Sequence, residues 1–145
     1  MLLVFVVIMV MPVYGSAEVL LRIESSEIIV NNVIEHLTEG SEPRIVNGRA
    51  IVPLRAVIEA LGGIVVWDSD LMLITIRDYF DENEIIMKIN SYDSVVNARS
   101  GPRLEVAPKL VGNVTMVPIS FVSHHLGFEL DWNDENRTIK IVAEN

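Results

Sequence analysis

The chain has 145 residues, of which 50% are apolar and 21% are charged, so it is long enough for one ordinary domain and too apolar to be disordered. Its 20 acidic residues outnumber its 11 Lys and Arg residues and give a formal net charge of -9, which disfavours binding to nucleic acids and anionic membranes. The absence of cysteine excludes disulfides, thiolate nucleophiles and cysteine-ligated metals.

The first residues predict a secretory signal peptide. Residues 1–11 are continuously apolar but fall short of the roughly 20 residues that cross a bilayer core. Gly15 and Ala17 fit a cleavage site before Glu18, although no basic residue precedes the apolar run. We expect a signal peptide over 1–17, a single domain over 18–145, and no membrane span after cleavage. The alternative is a buried first strand or helix.

Short strands are predicted ahead of the first helix. An edge strand is expected at Val19–Glu24, and a hairpin at Asn31–Asn32 joins strands over 27–30 and 33–37. Asn47–Gly48 predicts a second hairpin, which leads into Ala50–Val52.

A short helix and a further hairpin follow. Pro53 suits the first position of a helix, because its missing N–H costs no intrahelical hydrogen bond. An apolar stripe runs to Leu61, and Gly62 ends the helix. A strand containing Trp67 and another over 71–76 form the hairpin.

The second half of the chain repeats this order. Strands are predicted over 85–89, 94–96 and 104–106, then a helix and a closing strand over 138–142. We expect two homologous half-repeats, about 28–78 and 85–142, in an α+β fold whose antiparallel sheet wraps around two short helices. The aligned positions are Pro53 and Pro118, Leu61 and Leu126, Gly62 and Gly127, and Trp67 and Trp132.

The two tryptophans are interpreted as core residues. Strand alternation places Trp132 on the same face as Leu130, where the helix stripe needs an apolar partner. The alternative is that both indoles stack on sugars.

The repeated pattern carries a family resemblance. Residues 45–68 combine Asn47-Gly48-Arg49, a VPLR sequence with Pro53 and Arg55, Leu61-Gly62 and Trp67-Asp68. This duplicated pattern resembles the copper amine oxidase N-terminal-like (stalk) domain family. The second copy departs from it, with Ser120 at the position of Arg55. The resemblance implies a non-catalytic domain without cofactor, found in secreted proteins of Gram-positive-type bacteria beside cell-wall modules.

No residue cluster predicts catalysis or metal binding. His36, His124 and His125 do not have ligand spacing and are expected at the surface. Asp131, Asn133 and Glu135 resemble the start of a calcium loop but are explained by turn chemistry. Ser123 lacks a nucleophile elbow, and Arg55 is expected to pair with a nearby acid.

The first half is expected to expose a modest apolar surface. Leu73 and Thr75 occupy the outward positions held by Thr138 and Lys140 in the second half, and Leu71 lies nearby.

The preferred hypothesis is a secreted, non-enzymatic stalk-type domain that binds or spaces other molecules at the bacterial cell surface. The alternative is an extracellular peptide- or glycan-binding module with a site between the half-repeats. Expected partners are cell-wall or other extracellular proteins or glycans, with no catalytic residue, no metal and no cofactor.

Overall fold

The computed structural model describes residues 15–144, so most of the predicted signal peptide lies outside the described residues. Within this range the structure has fourteen strands and two helices. The strands are β1 (Ser16–Arg22), β2 (Glu27–Val30), β3 (Val33–His36), β4 (Arg44–Val46), β5 (Arg49–Pro53), β6 (Ile64–Asp68), β7 (Leu73–Arg77), β8 (Glu84–Lys88), β9 (Ser94–Val96), β10 (Arg99–Ser100), β11 (Lys109–Val111), β12 (Val114–Pro118), β13 (Glu129–Asn133) and β14 (Thr138–Glu144). The helices are α1 (Leu54–Ala60) and α2 (Ile119–Leu126).

The strands form three antiparallel sheets. A four-stranded sheet has the order β11-β12-β5-β4, and two five-stranded sheets have the orders β13-β14-β1-β2-β3 and β10-β9-β8-β7-β6. Each helix contacts strands from all three sheets. The predicted α+β class is therefore confirmed. Neither described helix is long and apolar enough to span a membrane.

Both five-stranded sheets combine strands from the two halves of the chain. One sheet joins β1, β2 and β3 to the C-terminal hairpin β13–β14, and the other joins β6–β7 to β8, β9 and β10. The main hydrophobic core likewise contains residues from both helices and both five-stranded sheets. The two halves therefore bury their apolar surfaces together.

The first strand corrects a sequence prediction. Residues 19–24 were expected at a sheet edge, but β1 lies between β14 and β2 in the middle of its sheet. The prediction was wrong because β14 extends to Glu144 and pairs with β1 over its full length, with Ser16 opposite Glu144. Sequence reasoning could not assign this partner, which lies at the far end of the chain.

The strand predicted over 104–106 is also wrong. This stretch is irregular in the structure and lies between β10 and β11. Leu104 and Val106 are nevertheless buried, with 3% of each exposed. The alternating apolar pattern therefore indicated burial and not a strand.

Both prolines precede their helices by one residue. Pro53 has φ -65° and ψ 114°, and Pro118 has φ -69° and ψ 109°, so each is an extended N-cap residue. The prediction that they occupy the first helical position was wrong, because each proline still ends a strand of the four-stranded sheet.

The helix stripes and stops follow the predicted positions. Leu54 and Leu61 of the first stripe and Leu126 of the second are almost completely buried. Gly62 and Gly127 have φ of +84° and +74°, a left-handed conformation that glycine adopts without a steric penalty.

The two halves contain matching hydrogen bonds. The Glu18 N–H donates to Asn31 Oδ1 at 2.8 Å, and the Glu84 N–H donates to Asn97 Oδ1 at the same distance. The resemblance between the segments thus begins about ten residues before the predicted boundary at residue 28. Duplication of one ancestral unit stays a prediction.

Candidate functional site

The four-stranded sheet brings the two halves together. Its middle strands β5 and β12 place Val52 opposite Val117, with Met116 opposite Pro53 and Pro118 opposite Ile51. These are the positions that the sequence aligns, so the pairing is centred on Val52 and Val117. Equivalent surfaces of the two halves consequently lie on either side of this pair.

The larger of two corresponding clefts lies beside Trp67, and we call it the Trp67 cleft. Its volume is about 560 Å³. Its walls come from α1, the β6–β7 hairpin and β3 of the first half, and from the β11–β12 hairpin of the second half. Besides Trp67, the lining residues are Ile28, Glu35, His36, Leu37, Thr38, Ser41, Pro53, Leu54, Arg55, Ala56, Glu59, Val65, Ile74, Leu110, Asn113, Val114 and Thr115.

A second cleft lies beside Trp132, and we call it the Trp132 cleft. Its volume is about 430 Å³, and its hairpin wall comes from β4–β5 of the first half. Most of its lining residues have an aligned counterpart in the Trp67 cleft. The pairs, with the Trp67-cleft residue first, are Leu54 and Ile119, Arg55 and Ser120, Val65 and Leu130, Trp67 and Trp132, Ile74 and Ile139, Leu110 and Ile45, Asn113 and Gly48, Val114 and Arg49, and Thr115 and Ala50.

The two tryptophans differ in burial. Trp67 is half-buried and packs against the main core. Trp132 and Leu130 on β13 are exposed, at 38% and 37%. The prediction that both tryptophans are core residues is therefore wrong for Trp132. For Trp67 it holds only in part, because this half-buried side chain packs against the core and also lines the cleft.

An ion pair borders the Trp132 cleft. Arg49 on β5 and Glu105 on the segment before β11 form a bidentate pair, in which Arg49 Nη2 donates to Glu105 Oε1 at 2.8 Å. The hydrogen bond from Arg49 lowers the pKa of Glu105, and the bond to Glu105 raises the pKa of Arg49. The pair joins two segments that are 56 residues apart in the sequence.

Beyond this ion pair lies a separate cavity of about 260 Å³, which we call the histidine cavity. Arg49 lines both this cavity and the Trp132 cleft. The remaining residues of the histidine cavity are Pro102, Arg103, Glu105, Pro118, Ser120, Phe121, His124 and His125.

The first half has no equivalent division. The Leu37 N–H donates to Ser26 O, and the Leu104 N–H donates to Tyr92 O, so these two leucines occupy corresponding positions. Thr38 follows Leu37 as Glu105 follows Leu104, and it therefore occupies the place of Glu105. Val114 occupies the place of Arg49. Neither side chain can form an ion pair, and the Trp67 cleft is continuous across this position.

The hairpin turns also distinguish the clefts. Asn47 and Gly48 both have positive φ, as in a type I′ turn, whereas in the second hairpin Gly112 has positive φ and Asn113 does not. One positive φ at the first central residue is the pattern of a type II′ turn. The exchanged order places an asparagine side chain at the Trp67 cleft, where the Trp132 cleft has Gly48.

Arg55 forms a local ion pair at the Trp67 cleft. Its Nη1 lies 2.5 Å from Glu59 Oε1, one turn along α1, and both side chains are about half exposed. Ser120 and His124 replace them in the second half, so that half cannot form this pair.

The histidines do not converge. His36 and His124 are exposed, and the ring of His125 lies 4.5 Å from that of Phe121. Burial, followed by repulsion from His124, lowers the pKa of His125. Among residues 15–144 there is no cluster of three or more His, Asp or Glu side chains that could hold a metal ion.

The remaining polar candidates have structural partners. Asn133 Oδ1 accepts the backbone N–H groups of Glu135 and Asn136, which closes the turn that resembles a calcium loop. Ser123 is buried in α2, and its Oγ has no hydrogen-bond partner among the described residues.

The apolar surface predicted on the first half of the chain contains one exposed leucine and one half-buried leucine. Leu71 is 57% exposed, and Leu73 is half-buried at the start of β7.

The chain belongs to the copper amine oxidase N-terminal domain family. The family's sequence model matches residues 7–76 and 35–141, which together span most of the chain. The match is to the N-terminal domain and not to the catalytic domain. The chain matches none of the curated proteins and none of the solved structures with which it was compared.

The sequence predicted both tryptophans as motif residues and offered a site between the half-repeats as an alternative, but it did not show which residues line the clefts. Each cleft combines a tryptophan from one half with a hairpin from the other, so local patterns could not show it. The Arg49–Glu105 pair was missed for the same reason. The sequence feature that could have indicated a difference between the clefts was the exchange of Asn47-Gly48 for Gly112-Asn113 in the aligned turns.

Proposed function

We propose that this chain is a secreted, non-enzymatic stalk-type interaction domain that acts at the bacterial cell surface. The observation that carries the proposal is the family match over residues 7–76 and 35–141, since the matched family is an N-terminal domain separate from the catalytic one. The apolar run at residues 1–11 and the small residues before Glu18 support secretion.

The second candidate function, a peptide- or glycan-binding module, is favoured by the Trp67 cleft. This cleft lies between the two halves and takes lining residues such as Trp67 from one and Asn113 from the other. Its volume of about 560 Å³ lies within the ~300–1,000 Å³ typical of ligand pockets. Cell-wall or other extracellular glycans and proteins are the proposed partners.

Expression of the full chain in a Gram-positive host tests the location. We expect mature protein in the medium or on the cell surface, with an N-terminus at Glu18 after removal of residues 1–17. Full-length protein retained in the cytoplasm would contradict secretion.

Two assays of the secreted protein test the role. We expect retention on purified cell walls, and no hydrogen peroxide release from amines after incubation with copper. Peroxide production above that of free copper would contradict the non-enzymatic assignment, and absence of retention would contradict cell-wall binding.

A further inference from the structure

We propose that the Trp67 cleft binds an oligosaccharide, with one pyranose ring stacked on the indole of Trp67. The proposal deepens the binding role proposed above and rests on it. The site is the Trp67 cleft, and the ligand class that its chemistry favours is a neutral sugar chain.

Trp67 offers both an apolar face and a hydrogen-bond donor. One side of the residue packs on the core, which fixes the ring, and the remainder lines the cleft. Its indole N–H has no partner among the described residues, whereas the Trp132 N–H donates to Asp134 Oδ1 at 3.3 Å. A pyranose ring presents C–H groups on its face and hydroxyl groups at its rim, so it can satisfy both features of Trp67.

Polar side chains line the same cleft as the indole. Asn113 and Thr115 approach from the β11–β12 hairpin, while Glu35 and His36 approach from β3. Together they provide hydrogen-bond donors and acceptors, which vicinal hydroxyl groups require. The mixture of one aromatic platform with a few polar groups is typical of a small-molecule site.

The charges of the cleft argue against an anionic ligand. Arg55 is paired with Glu59, and Glu35 adds a further carboxylate in a chain whose net charge is already -9. Anion recognition uses unpaired Arg or Lys side chains. A neutral oligosaccharide avoids this repulsion, since it carries no charge.

The Trp132 cleft shows what the Trp67 cleft would lose without its polar residues. Gly48 stands for Asn113, Ala50 for Thr115 and Ser120 for Arg55, while Arg49, Asp134 and Arg137 give this cleft charged side chains. The Arg49–Glu105 pair also separates it from the histidine cavity. The chain therefore contains its own comparison, in which Asn113 and Thr115 line the cleft of one tryptophan and Gly48 and Ala50 take their places beside the other.

The test is isothermal titration of the full chain with two neutral probes, β-linked oligomers of glucose and of N-acetylglucosamine. We expect at least one probe to bind. The variant R55S/N113G/T115A carries the residues of the Trp132 cleft at its rim, and we expect its affinity to fall by at least about tenfold. The matched control Trp132→Ala should bind as the unchanged chain does.

Three results would overturn the proposal. They are binding of neither oligosaccharide, unchanged affinity of the rim variant, and an equal loss in Trp132→Ala. Thermal melts of both variants verify folding, and all three rim positions are exposed or only half-buried. The rim variant is thus expected to stay folded, so lost binding reports on the site.

The same protein separates failure of this proposal from failure of the proposed function. Retention on cell walls without binding of either sugar would leave the surface role intact and overturn the oligosaccharide site. Retention that survives the rim variant would indicate a peptide added to a sheet edge, because strand addition uses backbone groups and not these side chains. Failure of both assays would overturn both proposals.

Discussion

The Trp67 and Trp132 clefts consist of the same elements in the same order, yet they differ in continuity and polarity. Each is formed by a helix, the hairpin that follows it and a second hairpin from the other half. In the first, the cavity runs unbroken past Thr38 and Val114. In the second, Glu105 and Arg49 occupy these places and form an ion pair.

The two clefts share a core that preserves their shape and differ mainly in the residues at their rims. The apolar stripes of the two helices are alike, and β5 of one half pairs with the aligned strand β12 of the other. The differences lie at exposed or half-buried positions, where substitutions cost little stability. Two similar clefts can therefore share one fold and differ in function.

The largest expected difference concerns the tryptophans. Trp67→Ala removes a ring that packs on the core and should lower the free energy of unfolding by about 3 kcal/mol. Trp132→Ala removes an exposed ring and should cost about 1 kcal/mol or less. Urea denaturation of both variants measures the difference, and equal losses would contradict the assigned burial.

Gly63 provides the next comparison, because its aligned residue is Phe128. A Cβ on Gly63 would lie 2.6 Å from Ile58 Cγ2 and 2.8 Å from Arg77 O, and that carbonyl belongs to the backbone. Gly63→Ala should therefore cost about 2 kcal/mol in urea denaturation. The control Gly48→Ala meets no atom within 4 Å and is strained only through its φ of +74°, so a greater loss there would contradict the packing assigned to Gly63.

Removing the ion pair should join the Trp132 cleft to the histidine cavity. The variant R49V/E105T carries the residues of the Trp67 cleft, and we expect acrylamide to quench Trp132 fluorescence more strongly. The unfolding free energy should change little, because both side chains are exposed. Measuring the variant with Trp67→Phe isolates the signal of Trp132, and unchanged quenching would contradict the dividing role.

The ion pair also has a predicted pH dependence. Arg49 lowers the pKa of Glu105 in the folded state. Between this lowered pKa and the ordinary carboxyl value, the unfolded state therefore binds more protons than the folded state. The small contribution of the pair is complete above the ordinary carboxyl value of 4.5 and is lost as the pH falls through the lowered pKa. With Trp67→Phe present in both chains, quenching of Trp132 should therefore rise on acidification when Arg49 and Glu105 are intact and should not rise in R49V/E105T.

The smallest effect is expected at His125, whose aligned residue is Ala60. Burial lowers the pKa of His125, so the unfolded state binds its proton more readily. The folded state should lose stability as the pH falls below the ordinary histidine value of 6.5, down through the lowered pKa. His125→Ala should reduce this slope in thermal melts, and an unchanged slope would contradict the assignment.

Local patterns predicted much of the fold. The apolar stripes, the glycines after the helices and the Asn-Gly turn act within a few residues, so the sequence displays them directly. Partners distant in sequence could not be predicted. The β1–β14 pairing, the exposure of Trp132 on an edge strand and the Arg49–Glu105 contact all depend on how the halves meet.

A fluorescence titration of single-tryptophan chains with the β-linked oligosaccharides tests whether sugar binds beside Trp67 and not beside Trp132. Trp132→Phe leaves Trp67 as the only indole, and Trp67→Phe leaves Trp132. Oligosaccharide binding at the Trp67 cleft should give a saturable change in emission from Trp67 and none from Trp132. A saturable change in the chain that retains only Trp132, or no change in the chain that retains only Trp67, would contradict it.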